Sequence, residues 1–331
     1  MRMPHALTRR TAAALFTASL AALWAPGSAM AQEGAYPSKP ITLVVGYPPG
    51  GSTDLMGRLV GTELSNRLGQ PVVIENLGGA GGTIGAQKVA NAAADGYTLL
   101  VGANNELAIA KLIAKSVKYS PANFTPIGLI GSQPMVLVAS TKSGVKNANE
   151  FTRLVKQNPG KFSYGSSGVG TALHLAGEMT KEQAGLFMTH IPYRGVAPLT
   201  NDLVGNNIEF GVFVLSSGLP HIKAGKVVAL GTTAAKRSAA TPDIPALAEF
   251  PQFKNVDIES WFALVGPANL PQPVVAKLKK ALNETLQSPD FRQKMAAAGS
   301  GVASPEVNLG KFWAEEVAKY TKIVQFAKIE E

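Results

Sequence analysis

Cysteine is absent from all 331 residues. That excludes a disulfide-stapled scaffold and any thiolate metal site, so stability must come from core packing. Histidine is nearly as scarce: His5, His174, His190 and His221 make up the four, with no H-E-x-x-H or related spacing to hold a metal. Nucleotide motifs are missing too. No Walker A lysine follows a glycine-rich turn, and the run Gly78-Gly79-Ala80-Gly81-Gly82-Thr83-Ile84-Gly85 fails G-x-G-x-x-G because Ile84 takes the last glycine's place. Gly165-Ser166-Ser167-Gly168-Val169 misses a nucleophile elbow at Val169. Neither metal nor cofactor is expected, and no enzyme chemistry.

The first 31 residues stand apart. Arg9 and Arg10 precede an apolar stretch, 12–24, that closes on Pro26-Gly27-Ser28-Ala29-Met30-Ala31. A charged start, a short apolar core and an A-x-A end read as a secretory signal peptide over 1–31, since a spanning helix needs ~20 apolar residues. Thr8-Arg9-Arg10-Thr11 leaves Sec and twin-arginine export both open. The formal charge of +9 includes Arg2, Arg9 and Arg10, with no acid in the segment, so about +6 remains after its removal. An excess of base favours anionic ligands or a membrane surface. Lysine and arginine are scattered without aromatic interleaving, which argues against nucleic acid.

What is present is an alternation of short apolar runs and helical patterns, the mark of an α/β protein. Strands are expected at 41–45, 72–75, 98–101, 162–164, 190–193, 209–214 and 227–232. Helical spacing covers 55–64, 82–94, 149–157, 171–184, 197–204 and 219–223. Two long apolar runs, 127–139 and 258–267, bracket the second series. Pro134 interrupts the first, so that stretch is expected to bend or change partners there. The reading is two domains, 36–138 plus 250–331 and 139–249, joined by two crossovers with a cleft and a hinge between them.

Two glycine-rich turns lie between a strand and a helix. The first runs Gly46-Tyr47-Pro48-Pro49-Gly50-Gly51-Ser52-Thr53-Asp54 and the second Tyr164-Gly165-Ser166-Ser167-Gly168-Val169-Gly170-Thr171. Close backbone approach and the donors of the following helix make each a candidate anion cradle. Asp54 is either a ligand contact or a helix cap. His174 is either an anion donor or a packed ring. Arg194 is either a carboxylate clamp or a surface ion pair. Asn104 and Asn105 sit where open α/β sheets place ligands, or serve as turn residues.

Taken in order, the motifs resemble the periplasmic receptors of tripartite tricarboxylate transporters, the Bug family. The likeness spans the chain after the signal segment, through Tyr36-Pro37-x-Lys39-Pro40-Ile41-x-Leu43-Val44-Val45, Pro49-Gly50-Gly51-x-x-Asp54-x-x-x-Arg58 and Val72-Val73-x-Glu75-Asn76. It continues with Gly79-Ala80-Gly81-Gly82-x-x-Gly85, Asp95-Gly96-Tyr97-Thr98-Leu99, Gly165-Ser166-x-Gly168-x-Gly170-Thr171-x-x-His174-Leu175 and Tyr193-Arg194-Gly195-x-x-Pro198. The resemblance implies a type II periplasmic-binding-protein fold closing on a small organic acid, which a two-subunit membrane permease then receives. It further implies that loops 49–53 and 166–171 grip one carboxylate, partly through water. Tyr47 stands where phenylalanine is frequent, and Ala103-Asn104-Asn105-Glu106 fills a loop that often carries Thr or Ser. Tyr47, Asn104, Asn105, Phe213 and Ser216 are therefore read as tuning the ligand. The expected protein is a periplasmic monomer. A sensor of the same fold feeding a two-component system is the alternative, and an exported hydrolase using Ser166 or Ser167 with His174 lacks a supporting pattern.

Overall fold

The computed structural model describes residues 36–238 and 241–329, apart from the side chains of 326 and 327; the expected signal peptide lies outside them. Strand β1 (Ile41–Val45) is apolar except at half-buried Thr42, because it runs between two parallel neighbours, β2 (Val72–Asn76) and β3 (Thr98–Ala103). Helix α1 (Ser52–Leu68) joins β1 to β2 and stops at the left-handed Gly69. Helix α2 (Thr83–Ala90) joins β2 to β3 and is shorter than the 82–94 of the sequence reading.

After β3 the chain forms a wide π-helical turn, Asn105–Ile109, that runs into a short helix α3 (Ala110–Ile113). The sequence reading assigned no element here. Tertiary hydrogen bonds hold the turn: Tyr119 Oη donates to Glu106 O and Trp313 Nε1 to Leu107 O, both at 2.8 Å.

Strand β4 (Phe124–Ser140) is the long apolar run around Pro134. Beyond it lie α4 (Ala148–Gln157), β5 (Ser163–Ser166), α5 (Ala172–Ala184), β6 (Thr189–Pro192), α6 (Val196–Val204), β7 (Phe210–Val214), α7 (Leu215–Lys223) and β8 (Val227–Thr232). The chain returns through β9 (Glu259–Pro267) and ends with α8 (Gln272–Gln287), α9 (Pro289–Ala297), the two-residue β10 (Gly301–Val302) and α10 (Leu309–Ala327).

The strands follow the order β2-β1-β3-β9-β4-β7-β5-β6, with β8 and β10 also on β4. Pro134 marks a change of partner within β4. Residues up to Pro134 pair with β9, and Met135 onward pairs with β7. A proline offers no ladder N–H, which makes it the natural place to end one pairing and begin another. The returning chain crosses beside it: Thr233 N donates to Met135 O at 2.9 Å and Ile258 N to Thr233 O at 2.9 Å. A core cluster centred on Val136, Leu199, Phe213 and Leu219 fills the β4–β7–β8 side. Phe213 is fully buried in it and touches no cleft, contrary to its expected tuning role. Among the described residues no helix is long and apolar enough to cross a membrane.

Candidate functional site

The two glycine turns face one cleft, and they differ in how their backbone donors are used. At the first, Gly51 precedes α1 in extended conformation and no side chain caps the helix. The opening N–H groups of α1 are therefore open to an anion. Asp54 does not cap them. It is 4 % exposed and turned inward, accepting from Gly50 N at 2.9 Å, Arg58 Nε at 3.0 Å and Asn76 Nδ2 at 2.8 Å. Burial raises its pKa, but those three hydrogen bonds and the Arg58 charge outweigh it and hold the carboxyl below its ordinary value. Asp54 thus fixes the loop from behind.

At the second turn two of the three opening donors of α5 are already engaged. Thr171 Oγ1 accepts from His174 N, and Asn105 Oδ1 accepts from Ala172 N at 2.5 Å. Gly170 has φ +69 and approaches Ile113 so closely that a Cβ would lie 2.9 Å from its Cδ1. Gly170 N donates to His174 Nδ1 at 3.0 Å, and the His174 ring stacks on His190 at 3.8 Å between centroids. Burial lowers the pKa of His174 to about 4, with Glu178 opposing it, and that of His190 to about 3. Both rings are neutral supports under the loop. Ser166 is fully buried and its Oγ lies 2.7 Å from His190 Nε2, while also accepting from Gly168 N. The serine paired with histidine is thus sealed away, and its partner is His190 in place of the expected His174.

Two cavities open on the cleft. The first, about 470 Å³, is lined by Tyr47, Pro49, Gly50, Gly51, Ser52 and Thr53 from the first turn, by Asn105, and by Ser167 and Arg194 from the second side. Its wall also includes Leu173, Val196, Ala197, Pro198, Thr200, Asn201, Val214, Ser217, His221 and Ser260, none of which the sequence reading selected. No aspartate or glutamate lines it; Arg194 is exposed and meets no carboxylate among the described residues. The second cavity, about 760 Å³, is lined by Gly78, Gly79, Ala80, Gly81, Gly82 and Thr83 with Gly168, Gly170 and Thr171. Tyr47, Asn105, Ser167 and Arg194 border both cavities.

Four expected site residues are corrected. Asn104 is fully buried, donating to Glu259 O and Tyr320 Oη at 3.1 and 2.7 Å. Ser216 lies behind the wall, its N–H given to Gln133 Oε1 at 2.8 Å, and Ser217 lines the cavity in its place. Ser166 and His174 serve as loop supports. The missed residue with the largest consequence is Glu106. It is 1 % exposed, accepts from Ala103 N through Oε1 at 2.7 Å, and lies 2.8 Å from Tyr47 Oη through Oε2. Burial raises its pKa to about 7 against the hydrogen bonds from Ala103, its own amide and Tyr47. Nothing in A-N-N-E marks that glutamate as buried.

An α/β sheet beside a cleft that holds Arg194 and an uncapped helix terminus, with no acid among its lining residues, is the architecture of a solute-binding receptor. The chain belongs to the tripartite tricarboxylate transporter receptor family, whose TctC sequence model matches residues 56–329. It is 33% identical over 296 residues to Protein BugT of Bordetella pertussis, covering 88% of this chain and 90% of that protein. Rpa4515 of R. palustris, solved with adipate, superposes with a TM-score of 0.85 at 30% identity, covering 89% of this chain and 99% of that one. MatC from Rhodopseudomonas palustris, solved with bound malate, gives 0.81 at 30% identity, covering 87% and 100%. The fold is that of periplasmic binding proteins of this family, as the sequence resemblance implied.

Proposed function

We propose that this chain is an exported, periplasmic, monomeric solute receptor that captures a small carboxylate in the 470 Å³ cavity and hands it to a tripartite permease. The observation that carries this reading is the pairing of the uncapped α1 terminus with Arg194 on a wall free of acids. A carboxylate at a helix terminus gains about 0.3–1 kcal/mol, up to about 2 when partly buried. Hydrogen bonds to a charged group add about 1.5–3 kcal/mol each. Two or three such bonds with Arg194 reach the ~8 kcal/mol of micromolar binding. The apolar wall of Leu173, Val196, Pro198 and Val214 suits a hydrocarbon body.

Segments 36–138 plus 250–331 and 139–249 act as the two closing domains in this reading. The hinge is the pair of crossings at Pro134 and Ile258. Binding adipate and malate, as the two structural neighbours do, is the first thing to test. A thermal-shift screen across mono- and dicarboxylates is expected to raise Tm for at least one small acid, because a ligand that binds only the native state stabilises it. Small-angle scattering with and without that acid checks closure. No stabilisation by any carboxylate, together with turnover of an ester or amide, would sink the reading.

A further inference from the structure

Asn105 spans the cleft. Its Oδ1 accepts from Ala172 N at the head of α5, and its Nδ2 donates to Tyr47 Oη at 2.7 Å on the opposite side. The amide orientation follows from its partners, because Ala172 N–H needs an acceptor. Tyr47 Oη then lies 2.7 Å from Gly81 O and 2.8 Å from Glu106 Oε2. One hydroxyl proton cannot serve two acceptors at those distances. Both contacts are hydrogen bonds only if Glu106 carries a proton on Oε2 and donates it to Tyr47, which passes its own to Gly81 O. Oε1 remains the acceptor for Ala103 N–H.

Every donor and acceptor in the relay is then matched, which is what a buried polar network requires. Gly82 makes room for it: its φ is +96, and a Cβ there would lie 2.7 Å from Glu106 Oε2 and 3.0 Å from the Tyr47 ring.

We propose that protonated Glu106, acting through Tyr47, positions Asn105 as a latch that holds the two sides of the ligand cleft together. This rests on the receptor reading of the same cleft. The relay borders the 470 Å³ cavity, so a bound acid is retained behind it. The titratable groups that face Glu106 are Tyr47 and Tyr119, with no charged side chain among the neighbours that set its titration.

Loss of the Glu106 proton leaves Tyr47 one proton for two acceptors. Gly81 O or the carboxylate then loses its donor, and a buried charge is added. The raised pKa of about 7 sets the direction. Glu106 supports the latched state fully below its ordinary carboxyl range, and that support is lost as pH rises through about 7.

The test reads the ligand-free protein first. The hydrogen-exchange protection factor of the Ala172 amide is expected to fall about tenfold between about pH 6 and about pH 8.5 in the wild type. Glu106→Gln keeps a donor toward Tyr47 and an acceptor toward Ala103, and is expected to flatten that decline. Asn105→Ala is expected to lose the protection at every pH. A wild-type slope that survives Glu106→Gln, or wild-type protection in Asn105→Ala, overturns the proposal.

Affinity for adipate and malate is then titrated over the same range. Decline in the wild type and a flatter profile in Glu106→Gln support the latch, and the variant retains His221 and Arg194, so the difference isolates Glu106. If neither acid binds while the exchange data behave as expected, the latch stands and the receptor reading is decided by the screen across the other carboxylates.

Discussion

The first and second glycine turns look interchangeable on paper, and the fold uses them in opposite ways. At the first, the N terminus of α1 has no side-chain cap, and its aspartate is drawn behind the loop by Gly50, Arg58 and Asn76. At the second, two of the opening donors of α5 are taken, by Thr171 on His174 N and by Asn105 on Ala172 N from across the cleft. Unsatisfied backbone donors are what an arriving anion can use; satisfied ones give rigidity instead. In the proposed receptor the first turn is therefore the recognition element and the second the wall facing it.

Acid probes the second turn most strongly. His174 and His190 have folded pKa values lowered to about 4 and about 3, so their contribution is present above about 6.5 and lost as pH falls through the folded values. Protonated His174 can no longer accept the Gly170 N–H. For His174 this amounts to of order 3 kcal/mol, with the half-buried His190 adding less. Chemical denaturation at about pH 7 and about pH 4.5 measures it; equal stability at both would mean that the rings are not neutral supports.

Making the first turn resemble the second is the next largest perturbation. Gly51 has φ −84 and ψ 172, and a Cβ there would find only Pro48 O at 3.8 Å. Gly51→Asp should cap α1 and leave folding stability unchanged or a few tenths of a kcal/mol higher. Ligand affinity should meanwhile fall about a hundredfold or more, through repulsion of the carboxylate. Retained affinity would show that α1 is not the anion site.

Arg194→Gln should weaken binding about tenfold and reduce its salt dependence, with Tm unmoved, because the guanidinium is exposed and, among the described residues, paired with no acid. Calorimetry at two ionic strengths reads both effects. Smallest is Thr171→Ala, which removes the α5 cap and should cost about 1 kcal/mol of stability. Its effect on affinity should be under about tenfold, since Asn105 still holds Ala172 N–H. A larger loss of binding than of stability there would move recognition to the second turn.

Much of this was legible in the chain. The strands at 41–45 and 227–232 lie where the apolar runs put them, and Pro134 marks the change of partner in β4. Other features carried no local signal. The π-helical turn at Asn105–Ile109 depends on hydrogen bonds from Tyr119 and Trp313, the latter more than two hundred residues away. Asn104 and Asn105 are adjacent and alike, yet one is buried against Tyr320 and the other bridges the cleft. A one-residue step along a helix turns a side chain by about 100°, and only the packing of the turn decides which faces the ligand. Ser216 and Ser217 exchange roles for the same reason.

Sequence alone determined the α/β alternation, the two glycine turns and the family, because periodicity, turn chemistry and motif spacing are local properties of the chain. Tertiary structure decided which turn keeps its donors free, which of two neighbouring residues reaches the cavity, and that Glu106 is buried. Those outcomes depend on desolvation and on partners supplied from distant segments, and no window of sequence contains both halves of such a contact.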